Sequence, residues 1–228
     1  MSTTLAFDVY GTLIDTHGLL DALQEIVGDQ AAAFSLAWRD KQLEYAFRRG
    51  LMGRYVDFGV CTRQALDHTC ASFAAAASED QRGDLLARYR RLPAFADVRE
   101  GLENLRQQGF RLYAFSNGTA SAVAGLLEAA GIDEYFIDIV SVEGCSSFKP
   151  DPAVYRYFLR RAAAEADGTW LISSNPFDVI GAVSVGMQAA WLQRSPEAVF
   201  DPWEFTPSIT VASLRDMGAK IMHHRAGE

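Results

Sequence analysis

Cysteine is scarce in this chain of 228 residues: Cys61, Cys70 and Cys145 are the three, and no two of them form a CxxC pair. An odd count without that spacing suits reduced packing thiols, not a disulfide framework or a dithiol centre. No window approaches the roughly 18 uninterrupted apolar residues of a membrane-spanning helix. No basic segment followed by an apolar stretch opens the chain, so a soluble, cytoplasmic protein is expected. Positive charge is also short. Lys plus Arg number 21 against 29 Asp plus Glu, a net charge of −8, which makes nucleic acid or an anionic membrane a poor partner. A small anionic ligand stays possible if a few basic residues gather in one pocket. Internal repeats are lacking, and the low-complexity patch at 74–77 fits a helix end.

What is present is enough apolar sequence for a full core: 49% of residues are hydrophobic and 22% charged. An apolar run, Leu5-Ala6-Phe7, ends at Asp8 and passes into a glycine-bearing turn, Val9-Tyr10-Gly11-Thr12. That is the pattern of a carboxylate at a strand end. Residues 15–92 then carry helical periodicity with no strand signal. Within them Leu36, Leu43, Phe47 and Leu51 follow the spacing of a buried helix face, with Arg39, Lys41, Glu44 and Arg48 in other directions. Further amphipathic stretches cover 62–77 and 79–91, and Leu92-Pro93 ends the block.

Beyond Asp97 helical segments alternate with short apolar runs, the texture of a parallel α/β sheet. Helices are expected at 98–108, 120–130, 153–164, 178–186 and 214–222, and strands at 110–115, 137–142, 170–172, 189–192 and 209–211. Gly109 and Gly131 close the first two helices. Ligands of a doubly wound sheet sit beyond the carboxyl ends of its strands. Those ends carry Asp8, Ser116-Asn117, Lys149 and Ser173-Ser174-Asn175 with Asp178. The expected fold is therefore α/β, a doubly wound parallel-sheet core (1–14 and 93–228) with a helical cap subdomain (15–92) inserted after the first strand.

Four short motifs in order, Asp8-Val9-Tyr10-Gly11-Thr12, Ser116-Asn117-Gly118, Lys149-Pro150-Asp151-Pro152 and Ser174-Asn175 through Asp178, resemble those of the haloacid dehalogenase (HAD) superfamily over nearly the whole chain. Tyr10, Trp38-Arg39, the stretch from Lys41 to Tyr45, Arg54-Tyr55-Val56, Phe58 and Tyr155 resemble its L-2-haloacid dehalogenase branch. Phosphate-transferring relatives would carry a second acid where Tyr10 stands, which argues against phosphatase chemistry.

The resemblance implies hydrolytic dehalogenation of short L-2-haloalkanoates to D-2-hydroxyalkanoates without a cofactor. Asp8 would attack C2 and form an aspartyl ester. Thr12 and Ser174 would position it, with ordinary turn or cap hydroxyls as the alternative. Ser116 and Lys149, with backbone N–H groups of the Asp8 loop, would clamp the substrate carboxylate. Arg39, Asn117 and Phe177 would cradle the halide. Tyr10, Leu43 and Phe58 would line the alkyl group, although each could be core. Asp178 would be general base for ester hydrolysis, oriented by Asn175 and Lys149, and Tyr155 would hold Asp178 or Lys149 or simply pack. No metal is expected: Ser173, Ser174 and Asn175 stand where a Mg²⁺ site wants another acid, and Lys149 would repel a cation. An alternative is another C2 leaving group, as in ring opening of L-azetidine-2-carboxylate. The implied partners are a small 2-substituted carboxylic acid, the halide product and a second copy of the chain as a homodimer.

Overall fold

The computed structural model describes residues 2–227, so Met1 and Glu228, the ends of the expected core segments, lie outside the description. Six parallel strands form one sheet in the order β3-β2-β1-β4-β5-β6, where β1 is Thr4–Phe7, β2 Arg111–Ser116, β3 Asp138–Ser141, β4 Thr169–Ser173, β5 Gln188–Leu192 and β6 Ile209–Val211. Helices α5 (Val98–Gln107), α6 (Ala120–Ala129), α7 (Pro152–Ala162), α8 (Pro176–Val183) and α9 (Met217–Ala226) accompany the sheet. Every residue of β1 and β4 is buried, as central parallel strands require, and this explains their unbroken Leu5-Ala6-Phe7 and Trp170-Leu171-Ile172 runs. Strand order reverses at β1, so the ends of β1, β2 and β4 open onto one crevice.

Between β1 and α5 come α1 (Leu20–Val27), α2 (Ala31–Leu51), α3 (Phe58–Ser72) and α4 (Glu79–Tyr89). The outgoing and returning chains lie together at the base of this block. Asp15 N–H donates to Pro93 O at 2.8 Å and Phe95 N–H to Leu13 O at 3.0 Å. We propose the 14/15 and 92/93 junctions as the boundary between core and cap on that pairing.

Three local expectations need correction. The buried face of α2 is Ala31, Phe34, Trp38, Gln42 and Ala46, while Leu36 and Leu51 are 64% and 90% exposed. The polar Gln42 can face inward because its amide donates to Thr62 Oγ1 at 2.5 Å and accepts from the Tyr89 hydroxyl at 3.2 Å. Helix α3 begins at Phe58 and ends at Ser72, not 62–77, because Asp57 and Ala74 break it: Ala74 has a φ of 50°. Helix α8 begins at Pro176, at a first-turn position proline favours, and stops three residues before Gly186. Cys61 and Cys70 are buried free thiols and Cys145 is half-buried. Among the described residues no helix is long and apolar enough to cross a membrane.

Candidate active site

Asp8 follows the last residue of β1, and its N–H continues the sheet by donating to Ile172 O at 3.0 Å. The chain then turns sharply: Gly11 has φ 81° and its N–H donates to Ile14 O at 2.9 Å. A side chain at Gly11 would be strained by that φ and would stand 3.3 Å from Arg39 Nη2. Gly11 and Thr12 N–H groups are spent inside the turn, the latter on Val9 O at 3.3 Å. These two amides are therefore not the carboxylate donors expected of this loop.

The two oxygens of the buried Asp8 carboxylate are held differently. Oδ2 accepts from Thr12 Oγ1 at 2.8 Å and Asn175 Nδ2 at 2.7 Å, whereas Oδ1 accepts from Lys149 Nζ at 3.2 Å. Thr12 Oγ1 is itself fixed by Ser174 N–H at 2.9 Å, and Ser174 Oγ donates to Gly11 O at 2.7 Å. Thr12 and Ser174 thus lock the β1 loop to the β4 loop.

Lys149 is 1% exposed. Its ammonium donates to Phe115 O at 2.8 Å, Asp178 Oδ2 at 2.8 Å and Asp8 Oδ1 at 3.2 Å, which directs all three protons. It stands between two carboxylates. Among the described residues no group of three or more His, Cys, Asp or Glu side chains is placed for a metal ion.

Asp178 lies in the first turn of α8 and is fully buried. Burial pushes its carboxyl up to about 6, with the Lys149 charge opposing and the Asp8 charge reinforcing the rise. Tyr155 donates its hydroxyl to Asp178 Oδ1 at 2.8 Å, so of the two partners foreseen for it Asp178 is the one it holds. Burial and that neighbouring carboxylate hold the phenol well above its ordinary value, which keeps it a proton donor. The close approach needs Gly181, where a Cβ would lie 2.3 Å from the Tyr155 oxygen. Asn175, expected to orient Asp178, directs its amide elsewhere: Nδ2 to Asp8 and Oδ1 to Arg39.

Arg39 reaches down from α2. Its Nη2 donates to Tyr10 O at 2.9 Å and Asn175 Oδ1 at 3.2 Å, while its Nη1 is buried without a partner. Ser116 Oγ accepts from Gly118 N–H at 3.1 Å and Asn117 Oδ1 accepts from Lys149 N–H at 2.9 Å. Both therefore shape the β2 loop and the backbone that presents Lys149. Tyr10 stacks on Tyr89 with centroids 5.4 Å apart and tilts toward Phe58 at 6.1 Å. Burial raises its phenol far above the ordinary value. Leu43 packs half-buried against the core. Phe177 meets Phe47 of α2 edge-to-face at 5.0 Å, so it joins α8 to the helical block.

Arg194 was invisible to the motifs. From just beyond β5 it donates Nε and Nη2 to Thr12 O at 3.0 and 2.6 Å and Nη1 to Asp97 Oδ1 and Oδ2 at 2.7 and 2.8 Å. Asp97 also accepts Leu214 N–H at 2.7 Å. Burial opposes these bonds, yet the amide, the guanidinium and Ser213 together hold Asp97 below its ordinary value. The strand-end rule was the available signal, since Arg194 lies two residues past Leu192.

A buried strand-end carboxylate, a lysine bridging it to a second acid, and a helical block over both define a hydrolase of the haloacid dehalogenase-like family. That family's model matches residues 3–186, and the chain belongs to it. Within the family it is 37% identical over 207 residues to haloacetate dehalogenase H-2 of Moraxella sp. (strain B), covering 91% of this chain and 92% of that protein. It is 34% identical over 211 residues to (S)-2-haloacid dehalogenase of Pseudomonas sp. (strain YL), covering 92% and 90%. The structure of L-2-haloacid dehalogenase from Xanthobacter autotrophicus with chloropropionic acid covalently bound matches with a TM-score of 0.90 at 28% identity, covering 97% of this chain and 99% of that one.

Proposed function

We propose that the protein hydrolyses the carbon–halogen bond of short L-2-haloalkanoates, giving D-2-hydroxyalkanoates. The observation that carries this is the unequal holding of Asp8. Oδ1, with one partner, is the oxygen free to attack C2; the C–X bond breaks with its electron pair leaving on the halide, and configuration inverts. Arg39 Nη1, buried and unpartnered, is the donor for that departing charge, and Asn117 and the Phe177 ring complete the proposed cradle. Ser116 keeps a hydroxyl proton for the substrate carboxylate, and Tyr10, Leu43 and Phe58 wall the alkyl group.

The ester keeps Oδ2 as its carbonyl oxygen. Thr12 Oγ1 and Asn175 Nδ2 are then donors to the oxyanion formed when water adds. Asp178 takes the proton of that water, held by Lys149 and Tyr155, and collapse of the adduct frees the hydroxyacid with the former Oδ1. Ser174 acts through Thr12. No cofactor or metal enters this cycle. A guanidinium has no proton to give an amine leaving group, so Arg39 favours halide over azetidine-2-carboxylate. The reading includes a cytoplasmic homodimer, for which exposed Leu36 on α2 is a candidate contact.

A single turnover with enzyme in excess in ¹⁸O water tests the ester. Label is expected in the Asp8 carboxylate and not in the first hydroxyacid released. Label in the product with an unlabelled Asp8 would mean direct attack of water on C2.

A further inference from the structure

Thr12 carries the hydroxyl that donates to Asp8 Oδ2 at 2.8 Å. Threonine is β-branched and stiff at its first side-chain torsion, so the direction of that hydroxyl follows the backbone of the loop. The backbone N–H holds the residue loosely, reaching Val9 O at 3.3 Å. The carbonyl is held more firmly. Thr12 O accepts twice from one guanidinium, from Arg194 Nε at 3.0 Å and Nη2 at 2.6 Å, which occupies both lone pairs of a fully buried residue.

Arg194 is in turn anchored on the chain that returns from the helical block. Its Nη1 donates to both Asp97 oxygens at 2.7 and 2.8 Å, and its guanidinium lies 4.2 Å from the centroid of the Phe95 ring. Phe95 N–H donates to Leu13 O at 3.0 Å, and Asp97 is fixed from another direction by Leu214 N–H at 2.7 Å. The Arg194 and Asp97 side chains are 14% and 10% exposed, so water competes little for these bonds. A planar fork serves a carbonyl and a carboxylate from different edges at once, whereas an ammonium offers three protons from a single point.

We propose that Arg194 is a positioning residue for the nucleophile: clamped by Asp97, it fixes the Thr12 carbonyl and thereby aims the Thr12 hydroxyl at Asp8 Oδ2. The inference rests on the carbon–halogen reading above, in which Thr12 orients Asp8 for attack and then donates to the oxyanion formed from the ester. The bonds of Arg194 go to Thr12 and Asp97, not to the groups assigned to the substrate carboxylate or the halide. Its loss is therefore read in the chemical steps and not in substrate binding. Through Asp97 and Phe95 it also ties the alignment of Asp8 to the segment that leaves the helical block.

The experiment follows chloride release from (S)-2-chloropropionate by Arg194→Lys, which keeps a cation for Asp97 and loses the fork on Thr12 O. kcat is expected to fall about 10- to 100-fold with KM within about twofold of wild type. Leu105→Ala, buried further along α5, is the control for lost stability: it lowers Tm and should keep wild-type kcat at temperatures where it is folded. In a Thr12→Val background Arg194→Lys should change kcat by about twofold or less, because the hydroxyl it aims is gone. Should Arg194→Lys not fold, Asp97→Asn reads the same clamp, since it leaves Leu214 N–H an acceptor and removes the charge that holds the guanidinium; the same fall in kcat at unchanged KM is expected. Wild-type kcat in the clamp variant, a fall that Leu105→Ala reproduces, or a loss of full size in the Thr12→Val background overturns the positioning role and leaves the chemistry standing. Wild-type enzyme that releases no chloride overturns the carbon–halogen reading, and the proposal with it.

Discussion

Replacing Lys149 by methionine removes the cation between Asp8 and Asp178 while keeping an unbranched side chain. An opposite charge at this range lowers a carboxyl pKa by about one to three pH units, and Lys149 Nζ stands 2.8 Å from Asp178 Oδ2. Asp178 already titrates at about 6 because burial outweighs Lys149. Without the lysine it moves to neutrality or above. At pH 7 the wild-type base is roughly nine-tenths ionised; with a pKa near ~8 it would be roughly one-tenth ionised. Ester hydrolysis then slows about tenfold from ionisation alone, and the acid limb of kcat moves upward by about one to three pH units.

Stability gives a second readout with a definite sign. A carboxyl whose folded pKa is raised favours the fold in its protonated form; that contribution is complete below the unfolded value and is lost as pH rises through the folded one. The stability deficit of Lys149→Met should therefore be greatest near pH 8 and shrink toward pH 5. Its size at high pH is about 3–5 kcal/mol, the cost of leaving a buried charge unpaired, or roughly 10 °C in Tm for a chain of this length. Chloride-release profiles and thermal melts from pH 5 to 9 measure both. An acid limb that stays at about 6 together with a Tm deficit independent of pH would refute the assignment of Lys149 as the charge that sets Asp178.

Arg39→Lys keeps the charge but loses the forked guanidinium, and with it the orphan Nη1. The expected result is a fall in kcat of about 10²–10³, larger for chloride than for bromide because chloride is the poorer leaving group; an equal fall for both would place Arg39 outside the halide's path. Arg194→Met leaves Asp97 buried opposite no cation and should cost about 3–5 kcal/mol in urea unfolding at pH 7. Because Asp97 is held low in the fold, that loss should diminish as acid protonates Asp97, and a deficit unchanged into acid would count against the pair.

The strand-end rule brought Asp8, Ser116, Asn117, Ser174, Asn175 and Asp178 to one rim because a doubly wound sheet leaves those residues nowhere else to go. What sequence could not show was how each is partnered. Leu36 and Leu51 look like core by residue type, yet the α2 face that packs inward carries Gln42, whose amide is acceptable there because Thr62 and Tyr89 meet it. Asn175 sits in the same motif as Asp178, and its amide still turns to Asp8 and Arg39. Arg194 belongs to no motif at all, and its importance comes from a carbonyl, Thr12 O, that carries no sequence signal.

The charges of the site fit the proposed cycle, which uses no resident cation. Asp8 and Asp178 are offset by Lys149 and Arg39, so the four ionised side chains sum to zero and the substrate adds a single carboxylate. Alkylation creates no new charge: the negative charge of Asp8 Oδ1 disappears into an ester and reappears on the halide. The protein therefore needs a donor waiting where the charge arrives. A buried donor without a partner costs about 1–3 kcal/mol, and Arg39 Nη1 is such a donor at the point where α2 meets the nucleophile loop. In the proposed reaction that cost is borne by the free enzyme and relieved as the carbon–halogen bond breaks, which is the differential stabilisation a catalyst requires. Phosphoryl transfer would bring several anionic oxygens to the same place. With Lys149 fully engaged and Tyr10 stacked on Tyr89 where a second acid would stand, the Arg39 guanidinium would be left to offset them.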